Sequence, residues 1–301
     1  MTQTTQTNRF ALFFFLYFIA VSFGLSLLMA FDVFSEQSYL LFAQSICYLP
    51  PLVLYFLHTK KPLKQTLRLN PLGWKNVLLL AAFAFAIQPL MSFLSFLMTL
   101  FFPNPVMESA ENVISGGAIP AVFSMAVFPA VFEELSFRGI FLSGYHFLGK
   151  WKRAFVCALL FGLMHMNLQQ LPYAFCVGFI FCFLVERTDS IWASVLPHML
   201  INGTTVFSMF SEPEAYAAAA AIPEGNELAL LASVGLMALL SLPTLAFLLY
   251  LFLKVNPEET DFALMDADDG VSYEERFLTP SVYLIFALFI LMGVLPYFFS
   301  L

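Results

Sequence analysis

From Phe10 to Phe31 the chain carries no charged side chain, and comparably apolar stretches recur along the rest of its length. Each is close to the roughly 20 residues that a helix needs to cross a hydrocarbon core about 30 Å thick. Inside lipid no water can satisfy the backbone, so stretches of this kind must pair their own N–H and C=O groups as helices. The composition agrees, with 60% hydrophobic residues, 38 phenylalanines and only 11% charged residues. A soluble domain of this length is far less apolar. The expectation is an all-α, polytopic bundle forming one integral membrane domain over 1–301.

The candidate spans run about 10–31, 39–57, 76–102, 119–147, 154–168, 171–186, 191–210, 228–253 and 280–301. These are nine, or eight if the short fifth and sixth form a re-entrant hairpin. Met1 to Asn8 reads as a short polar tail. The first span is longer than a signal-peptide core and lacks a small-residue cleavage site, so a retained helix is expected. The connector from His58 to Lys75 is basic and is expected to lie along the membrane surface as an amphipathic turn or helix. Asn256 to Glu275 is strongly acidic, and the loop over about 256–276 reads as solvated and flexible. Cys47, Cys157, Cys176 and Cys182 all fall inside apolar runs without metal-type spacing, which makes them packing residues.

Charge placement predicts an orientation. With the N-terminus cytoplasmic and nine crossings, Arg138 is the one exception among 13 lysines and arginines that otherwise all fall on the cytoplasmic side. The net charge of −7 comes mostly from loops and implies no basic partner, and nothing in the pattern points to nucleic acid. The lipid bilayer itself is the expected environment, most simply a bacterial cytoplasmic membrane.

Few polar side chains interrupt the spans, and in lipid each is a candidate functional group. Glu133, Glu134 and Arg138 lie in the fourth, His165 at the end of the fifth, and His198 and Asn202 in the seventh. Glu134 and Arg138 stand four apart with the acid first, the favourable order for an ion pair on one helix face. Glu133 points about 100° away and has no partner on its own helix. His198 and Asn202 are also four apart, as are Phe161 and His165. With about 1.5 Å of rise per residue from the basic ends of the spans, Glu133 lies roughly 22 Å deep, His165 roughly 17 Å, His198 roughly 12 Å and Asn202 roughly 18 Å. The four groups can therefore meet in one layer. A carboxylate with one imidazole can hold and deprotonate a water while the other imidazole and the amide donate to an oxyanion. Pro129 and Pro197 each remove a helical hydrogen bond nearby and free a carbonyl on the preceding turn. Such breaks fit a wet cavity.

Three motifs follow in order: Glu133-Glu134-Leu-Ser-Phe-Arg138 as EExxxR, Phe161-Gly-Leu-Met-His165 as FxxxH, and His198-Met-Leu-Ile-Asn202 as HxxxN. Together they resemble the CAAX protease and bacteriocin-processing (Abi) family of intramembrane endopeptidases, which includes the Ras-converting prenyl-protein protease. The motif-bearing core covers about 119–210. The resemblance implies that Glu133 and His165 activate a water, that His198 and Asn202 stabilise the oxyanion, and that Glu134 and Arg138, with Phe161, hold the site together. It implies a membrane-associated, lipidated or leader-peptide substrate; a prenylated C-terminal peptide, a bacteriocin leader or a pheromone precursor would all suit the chemistry. No cofactor is required, because every polar group has a role without one. The alternative is a zinc protease with Glu133, His165 and His198 as ligands. A reading of another class, a non-catalytic binding protein or proton-coupled carrier, needs a polar path to both surfaces, and the other spans supply no such series.

Overall fold

A computed structural model describes residues 2–33, 36–104, 110–214, 216, 225–257 and 277–299. All nine apolar stretches are helical: α1 (Gln3–Ala30), α2 (Glu36–Thr59), α3 (Trp74–Thr99), α4 (Ala118–Gly144), α5 (Lys150–Met164), α6 (Leu171–Thr188), α7 (Trp192–Ser211), α8 (Glu227–Val255) and α9 (Pro280–Phe298). Six of these, α1, α3, α4, α6, α8 and α9, are long and apolar enough to cross a membrane by length and composition. At 15 residues α5 is about 22 Å long, too short for a full crossing on its own. Among the described residues there is no β-strand, only one isolated bridge between Leu69 and Ser190. The acidic stretch 258–276 lies outside the described residues, as does Glu224 of the loop before α8.

One expectation changes. The polar stretch before Phe10 is the first two turns of α1, with Thr2 capping Thr5 N–H. Asn8 is buried and donates through Nδ2 to the Phe277 carbonyl (2.8 Å) and Thr279 Oγ1 (3.0 Å), while Tyr145 donates its hydroxyl to Asn8 Oδ1 (2.8 Å). A tail with a donor-and-acceptor amide is ordered here because the residues just after α4 and just before α9 present matching groups. The basic connector holds one helical turn, Leu63–Thr66, and is then tied down by polar contacts. Arg68 pairs with Asp189 (3.1 Å), Ile191 N–H donates to the Arg68 carbonyl (2.9 Å), and Asn70 Nδ2 donates to both the side chain and the carbonyl of Asp189.

The same end of the bundle carries further polar ties. Arg153 on α5 forms a buried ion pair with Glu186 on α6. Arg187 donates to the Asn256 carbonyl (2.7 Å), and Asn76 and Asn256 exchange amide hydrogen bonds at 2.9 and 2.7 Å. Between these ties the core is aromatic and aliphatic, centred on Phe14, Phe137, Phe141, Leu160, Phe161 and Phe181. The cysteines are free thiols inside this packing, Cys176 only partly buried. Large apolar side chains such as Phe23, Phe207 and Leu228 stay exposed on the outside, where lipid is the solvent.

α5 and α6 form a close antiparallel pair, and Gly178 is the reason they can. A Cβ there would stand 3.3 Å from the Ala158 Cα, 3.1 Å from the Phe161 ring and 3.2 Å from Arg138 Nη2. None of these is the loose end of an exposed side chain. Gly178→Ala is therefore expected to destabilise the protein by about 1–3 kcal/mol, the usual range for overpacking, read as a lower unfolding midpoint in detergent.

Candidate active site

α4 is not a uniform helix. Two π-helical segments, Val122–Val127 and Leu135–Phe141, flank a regular stretch, Phe128–Glu134, that ends on the two glutamates. Such wide turns insert a residue and redirect the side chains that follow, and they recur at functional sites. Pro129, at the start of the regular stretch, has no N–H to offer the Met125 carbonyl one turn earlier. Asn202 on α7 takes that vacancy, donating from Nδ2 to Met125 O at 2.9 Å. The proline-freed carbonyl expected from the sequence is thus met by a residue of the HxxxN motif. An amide nitrogen has two N–H donors, so one remains for another acceptor.

Glu134 and Arg138 form the expected pair, Nη1 to Oε1 at 3.0 Å, with neither residue exposed to any measurable degree. The sequence spacing does not reveal the third member. His198 brings Nδ1 to the same Glu134 oxygen at 2.8 Å, so one carboxylate oxygen joins α4 to α7. A carboxylate paired with a guanidinium accepts, which places the proton on Nδ1 and leaves Nε2 facing outward. That Nε2 stands 3.9 Å from Glu133 Oε2. His198 therefore sits between the two glutamates, anchored by one and turned toward the other.

Phe161 explains its motif. The Arg138 guanidinium lies 4.3 Å from its ring centre and 5.5 Å from that of Phe181, so aromatic faces cover the cation where no second carboxylate does. The His165 ring meets Phe161 edge-on at 5.0 Å, and its Nδ1 lies 3.0 Å from the Phe161 carbonyl. His165 ends α5, and Met166 follows in the left-handed region (φ 52°), which reverses the chain. Asn167 locks this reversal, donating to the His165 carbonyl (2.9 Å) and accepting from Gln170 N–H (2.7 Å). From outside the motif core, α9 supports the turn: a Cβ on Gly293 would come within 2.8 Å of the Met166 carbonyl oxygen.

Glu133, His165, His198 and Asn202 all line one cavity of about 680 Å³. Tyr48 lines it too, a residue that no motif spacing singles out because it comes from α2. It is buried, with its side chain turned toward Glu133. Glu133, His165 and His198, the zinc set considered from the sequence, do not form a three-donor group among the described residues. His198 Nδ1 is turned to Glu134 and His165 Nδ1 to the Phe161 carbonyl. No step is built on a metal ion.

Comparison with known proteins points the same way as the motifs. Residues 115–204 match the family described as type II CAAX prenyl endopeptidase, Rce1-like. The chain is similar to a Bacillus subtilis (strain 168) protein named "Putative membrane peptidase YdiL", with 28% identity over 109 residues, 36% of this chain and 39% of that protein. The similarity thus spans well under half of that relative's length. No solved structure matches.

The shared Glu134 oxygen makes a separable prediction about stability. Glu134→Ala leaves Arg138 buried without its carboxylate and is expected to cost about 3–5 kcal/mol, whereas Glu134→Leu combined with Arg138→Met recovers most of that loss. Equilibrium unfolding in detergent of the single and double variants measures both.

Proposed function

We propose that the chain, whose residues 115–204 match the type II CAAX prenyl endopeptidase, Rce1-like family, is an intramembrane endopeptidase that cuts a peptide bond of a membrane-associated substrate with a water activated by Glu133 and His165. The observation that carries this reading is the convergence of two histidines, an amide and a glutamate outside the Arg138 ion pair on one cavity inside a helical membrane bundle. The substrate carbonyl lies against α7, where Asn202 and His198 Nε2 stand one turn apart. Glu133 takes a proton from the water as its oxygen bonds to the carbonyl carbon, and the oxyanion accepts from Asn202 Nδ2–H and from Nε2–H of a doubly protonated His198, whose Nδ1–H stays on Glu134. The same proton passes from Glu133 to the departing amine as the C–N bond breaks. His165, on the wall formed by the end of α5, holds the water. Glu134 and Arg138, away from the cavity wall, and Phe161 on it position His198 and His165.

No metal has a role in this scheme, and the protein is assigned to a membrane with its N-terminus on the cytoplasmic side. Glu133→Gln, His165→Ala and His198→Ala are each expected to lower turnover by about 10²–10⁴-fold, the usual contribution of a general acid–base group. Asn202→Ala is expected to lower it by about 10²–10³-fold, the cost of one oxyanion donor. Comparative peptidomics of membranes carrying wild type and Glu133→Gln identifies the substrate, and purified protein with that substrate gives the rates. Hydrolysis that survives any of the first three changes refutes the mechanism, and loss of wild-type activity to a chelator refutes its independence of metal.

A further inference from the structure

The cavity is one-sided. On α4 its lining runs from Ser124 to Glu133 and stops there; on α7 it begins at His198 and runs outward to Thr205. On α3 it begins at Gln88, past the middle of the helix, and continues to Asn104 beyond the last turn. On these three helices the described lining residues run from Glu133, His198 and Gln88 toward the same end of the bundle. Tyr216, past the end of α7, marks the same side. Below Glu133 the bundle is closed, with Phe137, Arg138, Phe141 and Phe181 all at 0% exposure.

The described lysines and arginines other than Arg138 occupy the other end. Lys60, Lys64 and Lys75 flank the connection from α2 to α3, Lys150 and Lys152 open α5, and Arg187 and Lys254 close α6 and α8. Basic ends stay in the cytoplasm. The cavity lining has no lysine or arginine, and Glu133 is its one acid among the described residues. Besides His165 and His198, its remaining polar groups are amides and hydroxyls, such as Gln44, Gln88, Ser92 and Gln170, which suit the N–H and C=O groups of an extended chain.

We propose that the cavity opens to the extracytoplasmic side and takes an extended peptide segment of an exported or membrane-anchored chain, not a tail presented from the cytoplasm. The proposal rests on the endopeptidase reading for what happens to the peptide, but not for where it enters. The test uses the full-length protein in intact cells, a membrane-impermeant maleimide, and two added cysteines: Thr205→Cys on the cavity wall and Lys152→Cys at the basic end. Wild type, whose own four cysteines are mostly buried, sets the background. Thr205→Cys is expected to label in intact cells, and pre-treatment with an impermeant quencher should abolish later labelling; Lys152→Cys should label only after permeabilisation. Labelling of Thr205→Cys only after permeabilisation, or under neither condition, overturns the proposal. Repeating the assay with Glu133→Gln separates the two ideas: outside labelling without proteolysis in any form of the protein refutes the peptidase and leaves the entry side standing.

Discussion

One carboxylate oxygen holds the centre of this protein together. Glu134 Oε1 accepts from Arg138 within α4 and from His198 across to α7, in a setting with no exposure to solvent. A charge so placed is expensive in a low-dielectric interior unless its partners are fixed, and fixing them is what the surrounding aromatic rings accomplish. Phe161 and Phe181 cover Arg138, and both also face the His198 ring. The rigid lower half of the bundle follows from this cluster. It allows the upper half to hold a polar cavity without losing the geometry of its floor.

The two glutamates of one dipeptide therefore have opposite environments. Glu134 is engaged on both sides, whereas Glu133 faces a cavity with His198 Nε2 at 3.9 Å. The helix achieves this with its own irregularities. A regular helix would carry both residues past α7 at a fixed angle, but π segments on either side of Phe128–Glu134 set that stretch apart from the rest of α4. Pro129 then exposes a carbonyl that Asn202 requires, so the break in one helix orients a side chain of another.

Much of this was legible in the residues. Apolar runs near 20 residues give helices because lipid allows little else, and i, i+4 spacing gave the Glu134–Arg138 pair correctly. Depth counted along three spans also put four polar groups at one level, where they do share a cavity. The link from Glu134 to His198 was not legible, because it joins residues 64 apart and depends on how α4 and α7 rotate against each other. Tyr48 was hidden for the same reason. The first turns of α1 were read as a tail because Thr and Asn next to the chain start look like loop; only the groups at the end of α4 and just before α9 make those polar residues buried structure.

Gly293 lies on α9, about ninety residues beyond the segment shared with the family, yet its missing side chain is what lets α9 rest on the backbone beside His165. The motif-bearing segment is consequently not a self-sufficient cassette. Transplanted into a relative with a different final helix, it would carry every signature residue and still lack the surface against which the His165 turn is moulded. Divergence in the flanking helices can therefore retune this site while leaving all three motifs untouched.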